Sequence, residues 1–295
     1  MGHAKAIVTL TIGGKYESRW KELCEADWKR YADEHDYDLY CLNAPLDDSE
    51  RARGRSPAWQ KCLILSQDFA QRYEQVVWID SDILINTLAA PCVAAGVPVE
   101  KVGGVDAWSW PTAEIAQTVL GRMYDYWGED CAVVDWTAQD YYVSYSLPPA
   151  FGQVVQTGVL VLSPRYHRRI LEKVYYEYEE TGKGNFEMRP LSYELLMAGA
   201  MHWLDHRYNL IWLAYKALHY PFLLGGVSQN DRPPKRKLLS FLQRDAPARL
   251  KKSPRKLGEL CATTAFLNSF FLHFAGADSD MPLVDRAAMS WRDLA

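Results

Sequence analysis

The 295-residue sequence lacks any apolar run long enough to cross a membrane. It contains no stretch of about 18 consecutive apolar residues, which is the minimum for a transmembrane helix. The first residues, Met1 to Ala6, also lack the apolar core of a secretory signal peptide. We therefore expect a cytoplasmic protein whose contact with a membrane, if any, is peripheral.

Cysteine is sparse and shows no paired spacing. The six cysteines form no CxxC pair, whereas zinc ribbons and small disulfide frameworks carry closely spaced cysteines. Their scatter indicates reduced thiols, which suits the cytoplasm.

Several catalytic signatures are also absent. There is no GxGxxG, no GxxxxGK(S/T) and no GxSxG, so the common dinucleotide, P-loop and serine-hydrolase sites are not indicated. His202 and His206 have the spacing of a zinc-binding helix, but Trp203 stands where such a helix carries its catalytic Glu. We interpret both histidines as structural or surface residues.

Basic charge is concentrated in one segment, although the net charge is −4. Residues 232–256 contain ten Lys or Arg and one acidic residue. This segment is either a solvated loop or helix, or a surface for an anionic partner such as an acceptor, a membrane surface or a nucleotide. A nucleic-acid enzyme is not indicated, because no recognised binding motif accompanies the charge.

Apolar strands and amphipathic helices alternate along the chain, which favours a mostly parallel sheet with right-handed crossovers. The predicted strands are 6–12, 37–42, 76–79, 102–105, 154–162 and 270–274, with a short extended piece at 202–204. The predicted helices are 17–34, 57–73, 112–127, 165–180 and 190–200. Because no repeat or linker interrupts this order, we predict one α/β domain over residues 1–295, with a basic loop or helical excursion at about 231–256.

Two carboxylates follow the buried strand that ends at Ile79. Asp80 and Asp82 flank Ser81, and the apolar run Ile83–Ile85 comes directly after them. In extended chain, residues i and i+2 point the same way, so the carboxylates would share one side. Such a pair suits Mg²⁺ or Mn²⁺. The alternative is an ordinary turn or helix cap, since Asp and Ser favour both.

His273 lies in the last predicted strand, between Phe and Leu residues and shortly before Gly276. A lone histidine on an apolar strand is most often a core residue. If it instead joined Asp80 and Asp82, its imidazole would shift the preference of the site from Mg²⁺ toward Mn²⁺.

Eight segments match a known sequence pattern in the same order. They span roughly residues 5–276 and are Ala6–Ile12, Trp59–Lys61, Val77–Ile85, Val102–Asp106, Gln156–Leu162, Glu187–Ser192, Leu204–Asn209 and His273–Gly276. Together they resemble the GT-A glycosyltransferases, especially the retaining, glycogenin-like and bacterial lipopolysaccharide galactosyltransferase-like group. The resemblance implies a GT-A fold with a Rossmann-like sheet.

The resemblance also implies residue roles, each by its matching position. Asp80, Asp82 and His273 would hold the metal ion, Mn²⁺ or Mg²⁺. Thr9, Thr11 and Lys61 would join Asp80 and Asp82 in contacting the nucleotide-sugar donor. Asp106, Gln156 and Glu187 would face the sugars and act in catalysis.

Three departures from the family pattern stand out. Gln156 replaces the usual Asn, and Met188 occupies the position of a Gln. The Lys that normally follows H-x-G and binds the diphosphate is absent after Gly276. A Lys or Arg of the basic segment 232–256 would be one substitute.

The resulting prediction is a metal-dependent glycosyltransferase that moves a hexose from a nucleotide sugar, UDP-linked, to a hydroxyl acceptor of unknown identity, with retention of configuration. One alternative is a sugar-phosphate nucleotidyltransferase. Such an enzyme normally has a glycine-rich, basic loop after its first strand, and Gly13 and Gly14 match that loop only weakly. The other is a non-catalytic carbohydrate-binding protein.

Overall fold

The computed structural model describes residues 4–127, 137–180, 186–224 and 248–286. The strands are β1 (Lys5–Leu10), β2 (Tyr37–Leu42), β3 (Gln75–Ile79), β4 (Ile83–Ile85), β5 (Val102–Asp106), β6 (Val155–Leu162), β7 (Met201–Trp203), β8 (Leu210–Ile211) and β9 (Phe271–His273). The α-helices of the described residues are α1 (Gly14–Leu23), α2 (Glu25–Glu34), α3 (Glu50–Arg53), α4 (Ala113–Trp127), α5 (Ala138–Val143), α6 (Pro164–Glu177), α7 (Met188–Met197), α8 (Trp212–His219) and α9 (Ala248–Leu267).

The central sheet has six strands in the order β2-β1-β3-β6-β5-β7. Strand β1 is parallel to β2 and β3, and β5 is parallel to β7. Strand β6 runs antiparallel to both of its neighbours. The predicted α/β fold with a mostly parallel sheet is thus confirmed, and the reversed direction of β6 is an addition that the local sequence did not indicate.

Alternating side chains of the central strands build separate cores on the two faces of the sheet. Ile7 and Val77 point into a core shared with α1, α2 and the second sheet. Val8 and Trp78 point into the other core, which α6 and α7 cover. Because successive side chains of a strand face opposite sides, both faces of the sheet are closed to water.

Two predicted helices differ in form. The helix predicted over 17–34 is two helices, with Cys24 as the residue between them. This break lets Trp20 and Trp28 meet edge to face at 5.7 Å. The segment after Ser56 is a 3₁₀ helix, Pro57–Ser66, rather than an α-helix. The Ser56 side chain caps it by accepting a hydrogen bond from the Ala58 amide, as predicted.

A second, three-stranded sheet has the order β4-β9-β8. Strand β4 is the apolar run that follows Asp82, and it pairs antiparallel with β9, which carries His273. Strand β8 was not predicted, because two residues are too few to show an alternating pattern. This small sheet places the strand that carries His273 beside the segment that follows β3.

The basic excursion predicted at 231–256 is described only in part. Residues 248–256 form the beginning of α9, and residues 231–247 lie outside the described residues. None of the described helices combines the length and apolarity that a membrane crossing requires.

Candidate functional site

Asp80 and Asp82 lie where the two sheets meet. The Asp80 amide donates a 2.8 Å hydrogen bond to the Gly158 carbonyl of β6, so the segment is fixed as soon as β3 ends. The side chains of Asp80 and Asp82 are 25% and 28% exposed. These carboxylates are therefore anchored by backbone but accessible to a ligand.

The pairing of β4 with β9 brings His273 beside the two carboxylates. His273 lies opposite Ile83 in the register, and the Phe274 amide donates to the Asp82 carbonyl at 3.0 Å. The His273 Nε2 atom is 3.2 Å from Asp82 Oδ1 and 3.8 Å from Asp80 Oδ2. The structure thus brings His273 to two carboxylates that precede it by nearly two hundred residues.

The imidazole of His273 is oriented by Asn209. Its Nδ1 atom lies 2.8 Å from Asn209 Oδ1 in a buried contact. An amide oxygen only accepts, so Nδ1 carries the proton in this contact. If a metal ion binds, Nε2 would give up its proton and present its lone pair to the ion, as in other sites where an outer partner fixes the histidine tautomer.

Gly158 is the residue that makes room for the imidazole. A Cβ atom at this position would lie 2.4 Å from His273 Cε1 and 2.7 Å from Nδ1. Real Cβ atoms essentially never show such distances, and the ring is buried, so any side chain here would displace it. The glycine of the Gln156–Leu162 segment therefore has a steric role in this site.

His273 and Asp82 each favour the charged form of the other. Burial opposes the charged form of each, but their attraction prevails, so the pKa of His273 is raised and that of Asp82 is lowered. The positive charge of the imidazolium therefore offsets part of the negative charge of the two carboxylates. The donor set, two carboxylates and an imidazole, suits Mn²⁺.

These three side chains satisfy the basic geometric requirement of a metal site. One ligand atom from each lies within 4.8 Å of the others, in the only such group found among the described residues. The residues present therefore fit a divalent ion, with Asp80, Asp82 and His273 as its ligands.

Lys61 links Asp80 to a second buried acid. Its Nζ atom lies 3.0 Å from Asp80 Oδ1 and 2.8 Å from Glu187 Oε1. Burial opposes the ammonium form, but both carboxylates favour it, and the net effect raises the pKa of Lys61. Trp78 also donates to Asp80 Oδ1, at 2.7 Å. Because Oδ1 has these two donors, Oδ2 is the oxygen left to face His273.

Glu187 is more deeply buried than the sequence suggested. Its carboxylate accepts hydrogen bonds from Lys61 and from Thr157 Oγ1, the latter at 3.0 Å. Burial raises the pKa of Glu187 despite the nearby ammonium. The residue is 2% exposed and does not line the clefts described below.

A cleft of about 510 Å³ extends from Asp80 and Asp82 to the end of β1. Its far wall includes Leu10, Ile12 and Tyr16, with Arg19 at its side. This volume is within the range of small-molecule sites.

Thr9 and Thr11 do not line this cleft. Both side chains are buried, with 0% and 1% exposure, and Thr11 contacts the Leu42 carbonyl. Leu10 and Ile12, which alternate with them along the strand, are the residues that reach the cleft. The donor contacts predicted for Thr9 and Thr11 remain predictions.

Arg19 is a cleft residue that sequence reasoning missed. It lies on α1 and pairs with Asp278, which follows the His273–Gly276 segment. Both residues line the same cleft as Asp80. The available signal was a cation one turn after the predicted Gly13-Gly14 turn, but only the fold brings it opposite Asp278.

Asp106 lies at a second, more polar cleft of about 600 Å³. Its carboxylate accepts from the Trp108 amide at 3.0 Å and from the Val154 amide at 3.2 Å, while burial raises its pKa. The sequence did not indicate which aromatic residues line this cleft, although its 11 Trp and 18 Tyr residues were an available signal. Trp110, Trp203 and His206 are among the residues that line this cleft.

Gln156 lies between Asp106 and the candidate metal site. Its side-chain oxygen accepts from the Gly158 amide at 3.3 Å, and Asn209 lies 3.5 Å from its backbone carbonyl. Val105 and Asp106 lie beside it across the β5–β6 ladder. Gln156 and Asp106 are thus neighbours, whereas Glu187 lies on the Lys61 side of the site.

No protein-family model and no curated protein matches the chain, but solved structures do. A glycosyltransferase involved in the glycosylation of the major capsid of PBCV-1 covers 95% of this chain over 100% of its own, at 15% sequence identity and a TM-score of 0.51. An active-site mutant of LgtC covers 97% of this chain over 99% of its own, at 11% identity and a TM-score of 0.52. At these identities the likeness shows that the chain shares their fold, which confirms the predicted GT-A fold.

Proposed function

We propose that this chain is a metal-dependent glycosyltransferase that moves a hexosyl group from a nucleotide sugar, UDP-linked, to a hydroxyl acceptor. The convergence of Asp80, Asp82 and His273 at the rim of a ligand-sized cleft carries this proposal. The fold shared with solved glycosyltransferases supports it. The reduced thiols of the described cysteines favour a cytoplasmic location.

The donor would lie in the cleft between β1 and Asp80. Leu10 and Ile12 offer an apolar wall for a base, and Tyr16 offers an aromatic ring. Arg19 is the cation on this wall, and we propose that it faces the diphosphate in place of the missing Lys after Gly276. A divalent ion held by Asp80, Asp82 and His273 would supply positive charge to the departing diphosphate.

The protein's own groups would position the reaction. Lys61 and Trp78 both donate to one oxygen of Asp80, which fixes the orientation of its carboxylate. Asp106 is held by two backbone amides at the polar cleft, where it can accept a hydrogen bond from an acceptor hydroxyl. Glu187 would act through Lys61 and Thr157 rather than by touching the sugar.

The proposed reaction replaces one bond of the anomeric carbon of the donor with another. The bond between the anomeric carbon and the diphosphate oxygen breaks, and UDP leaves with the electron pair. A bond forms between the anomeric carbon and the acceptor oxygen, whose proton passes to the leaving diphosphate. Retention of configuration is part of the proposal and rests on the family resemblance.

The first test is calorimetric titration of UDP into the full chain with Mn²⁺ and with EDTA. We expect binding with Mn²⁺, loss of binding in Asp82→Asn, and no change in Asp68→Asn, an exposed control. Donor specificity follows from a panel of nucleotide sugars scored for free nucleotide, and the anomeric coupling of the transferred sugar in NMR tests retention.

Two outcomes would overturn the proposal. Release of pyrophosphate from a nucleoside triphosphate and a sugar phosphate would indicate a nucleotidyltransferase. Metal-independent binding of saccharides without any nucleotide binding would indicate a carbohydrate-binding protein.

A further inference from the structure

A separate cavity of about 140 Å³ lies between α4, α8 and the ends of β5 and β8. Most of its wall is apolar, although it opens beside the polar cleft. The apolar lining includes Val105, Ala116, Val119, Leu120, Ile211 and Ala214. None of these side chains belongs to the metal site or lines the cleft beside Asp80, in which we propose that the donor binds.

The polar end of the cavity lies beside Asp106, the residue that we propose contacts the acceptor hydroxyl. Asp106 and His206 line both this cavity and the polar cleft. Gln156 and Asn209 also line it, and Asn209 is the partner of His273. A molecule with one polar end at Asp106 would therefore extend its apolar end between the two helices.

The size and the apolar wall of the cavity favour an apolar group about as large as a phenyl ring. Interiors are normally close-packed, so a void of this size is unusual. An engineered apolar cavity of about 150 Å³ in another protein stays free of water and binds benzene. Water in this cavity would find few hydrogen-bond partners, because most of its wall, including Ala116, Val119 and Ala214, is apolar.

We propose that this cavity binds a phenyl-sized apolar group of the acceptor, whose hydroxyl lies at Asp106. This inference rests on the proposed function and narrows the acceptor to a hydroxyl compound that bears such a group. A sugar without an apolar substituent would fill the polar cleft and leave the cavity unused. The acceptor's apolar part is thus recognised separately from its reacting end.

The test uses 4-fluorobenzyl alcohol as the probe, observed by fluorine NMR line broadening with the full chain. We expect millimolar binding to the unmodified protein and at least about tenfold weaker binding to Ala116→Leu, because the added side chain fills the cavity. Ala113→Leu adds the same volume at the exposed first residue of α4 and serves as the matched control. It should bind the probe like the unmodified protein.

A second variant keeps the test informative if Ala116→Leu does not fold. Ala214→Leu fills the cavity from α8, and Ala214 is only half-buried, so the added volume is better tolerated. Equal probe binding in the cavity variants and in Ala113→Leu would overturn the inference. So would absence of probe binding in a protein that binds UDP with Mn²⁺. If the unmodified protein did not bind UDP in the presence of Mn²⁺, that result would instead overturn the proposed function.

Discussion

Lys61 is the residue on which two acidic side chains depend. It is buried between Asp80 and Glu187, with Nζ within 3.0 Å of an oxygen of each. The carboxylate of Glu187 is almost completely removed from water. A buried acid that loses its partner is strongly unfavourable, even where the intact pair adds little net stability.

We expect Lys61→Met to lower the free energy of unfolding by about 3–5 kcal/mol at neutral pH. Adding Glu187→Gln should recover part of this loss, because it removes the unpaired charge. Urea unfolding of the single and double variants, followed by circular dichroism, measures both effects. A double variant as unstable as Lys61→Met would contradict this explanation.

The same pair predicts a pH dependence. Burial raises the pKa of Glu187 above its ordinary value of 4.5, so folding disfavours its charged form. That penalty is present above the raised pKa and is relieved as the pH falls through it. The deficit of Lys61→Met relative to the unmodified protein should therefore be smaller at acidic pH than at neutral pH.

At the scale of elements, the site depends on how short segments pair. Strand β9 has three residues, yet its pairing with β4 is what brings His273 to Asp82. Asn209, at the end of a 3₁₀ helix beside β8, then fixes the imidazole. The pairing of these short strands and one side-chain hydrogen bond thus define the position of the imidazole.

Asn209→Ala should weaken Mn²⁺ binding by about 10- to 100-fold, the usual effect of losing a partner behind a metal ligand. Asn209→Asp keeps an acceptor for Nδ1–H and should retain most of the affinity. Asn268→Ala, an exposed asparagine near β9, is the control. Electron paramagnetic resonance of free Mn²⁺ gives the affinities, and equal affinity in Asn209→Ala and Asn268→Ala would exclude an orienting role.

The elements also show what the sequence could predict. Long apolar runs such as β3 and β6 were found within a residue or two of their bounds, because several buried positions in succession leave a clear pattern. The small sheet and the direction of β6 were not found, since pairing partners are set by tertiary contacts. The motif around Asp80 could be recognised locally, whereas Arg19 and the cavity lined by Ala116 required the fold.

At the scale of the whole molecule, the two cores on the faces of the central sheet leave its carboxyl edge as the place where polar groups collect. Asp80 directly follows β3 and Asp106 is the last residue of β5, and these two strands lie on either side of β6. The crevice outside the carboxyl ends of strands is where open α/β sheets bind ligands. The cleft beside Asp80 and the polar cleft therefore both open at this edge of the sheet.

Metal binding at this edge should stabilise the entire fold, because the ligands come together only in the folded chain. At a Mn²⁺ concentration of 100 times its dissociation constant, linkage gives about 2.7 kcal/mol. For a chain of this size, that corresponds to a rise in melting temperature of roughly 5 °C over EDTA. Differential scanning calorimetry should show this rise, and UDP should add to it with Mn²⁺ but not with EDTA. The same rise in Asp82→Asn would place the responsible cation elsewhere on the protein, because that variant lacks one of the three ligands.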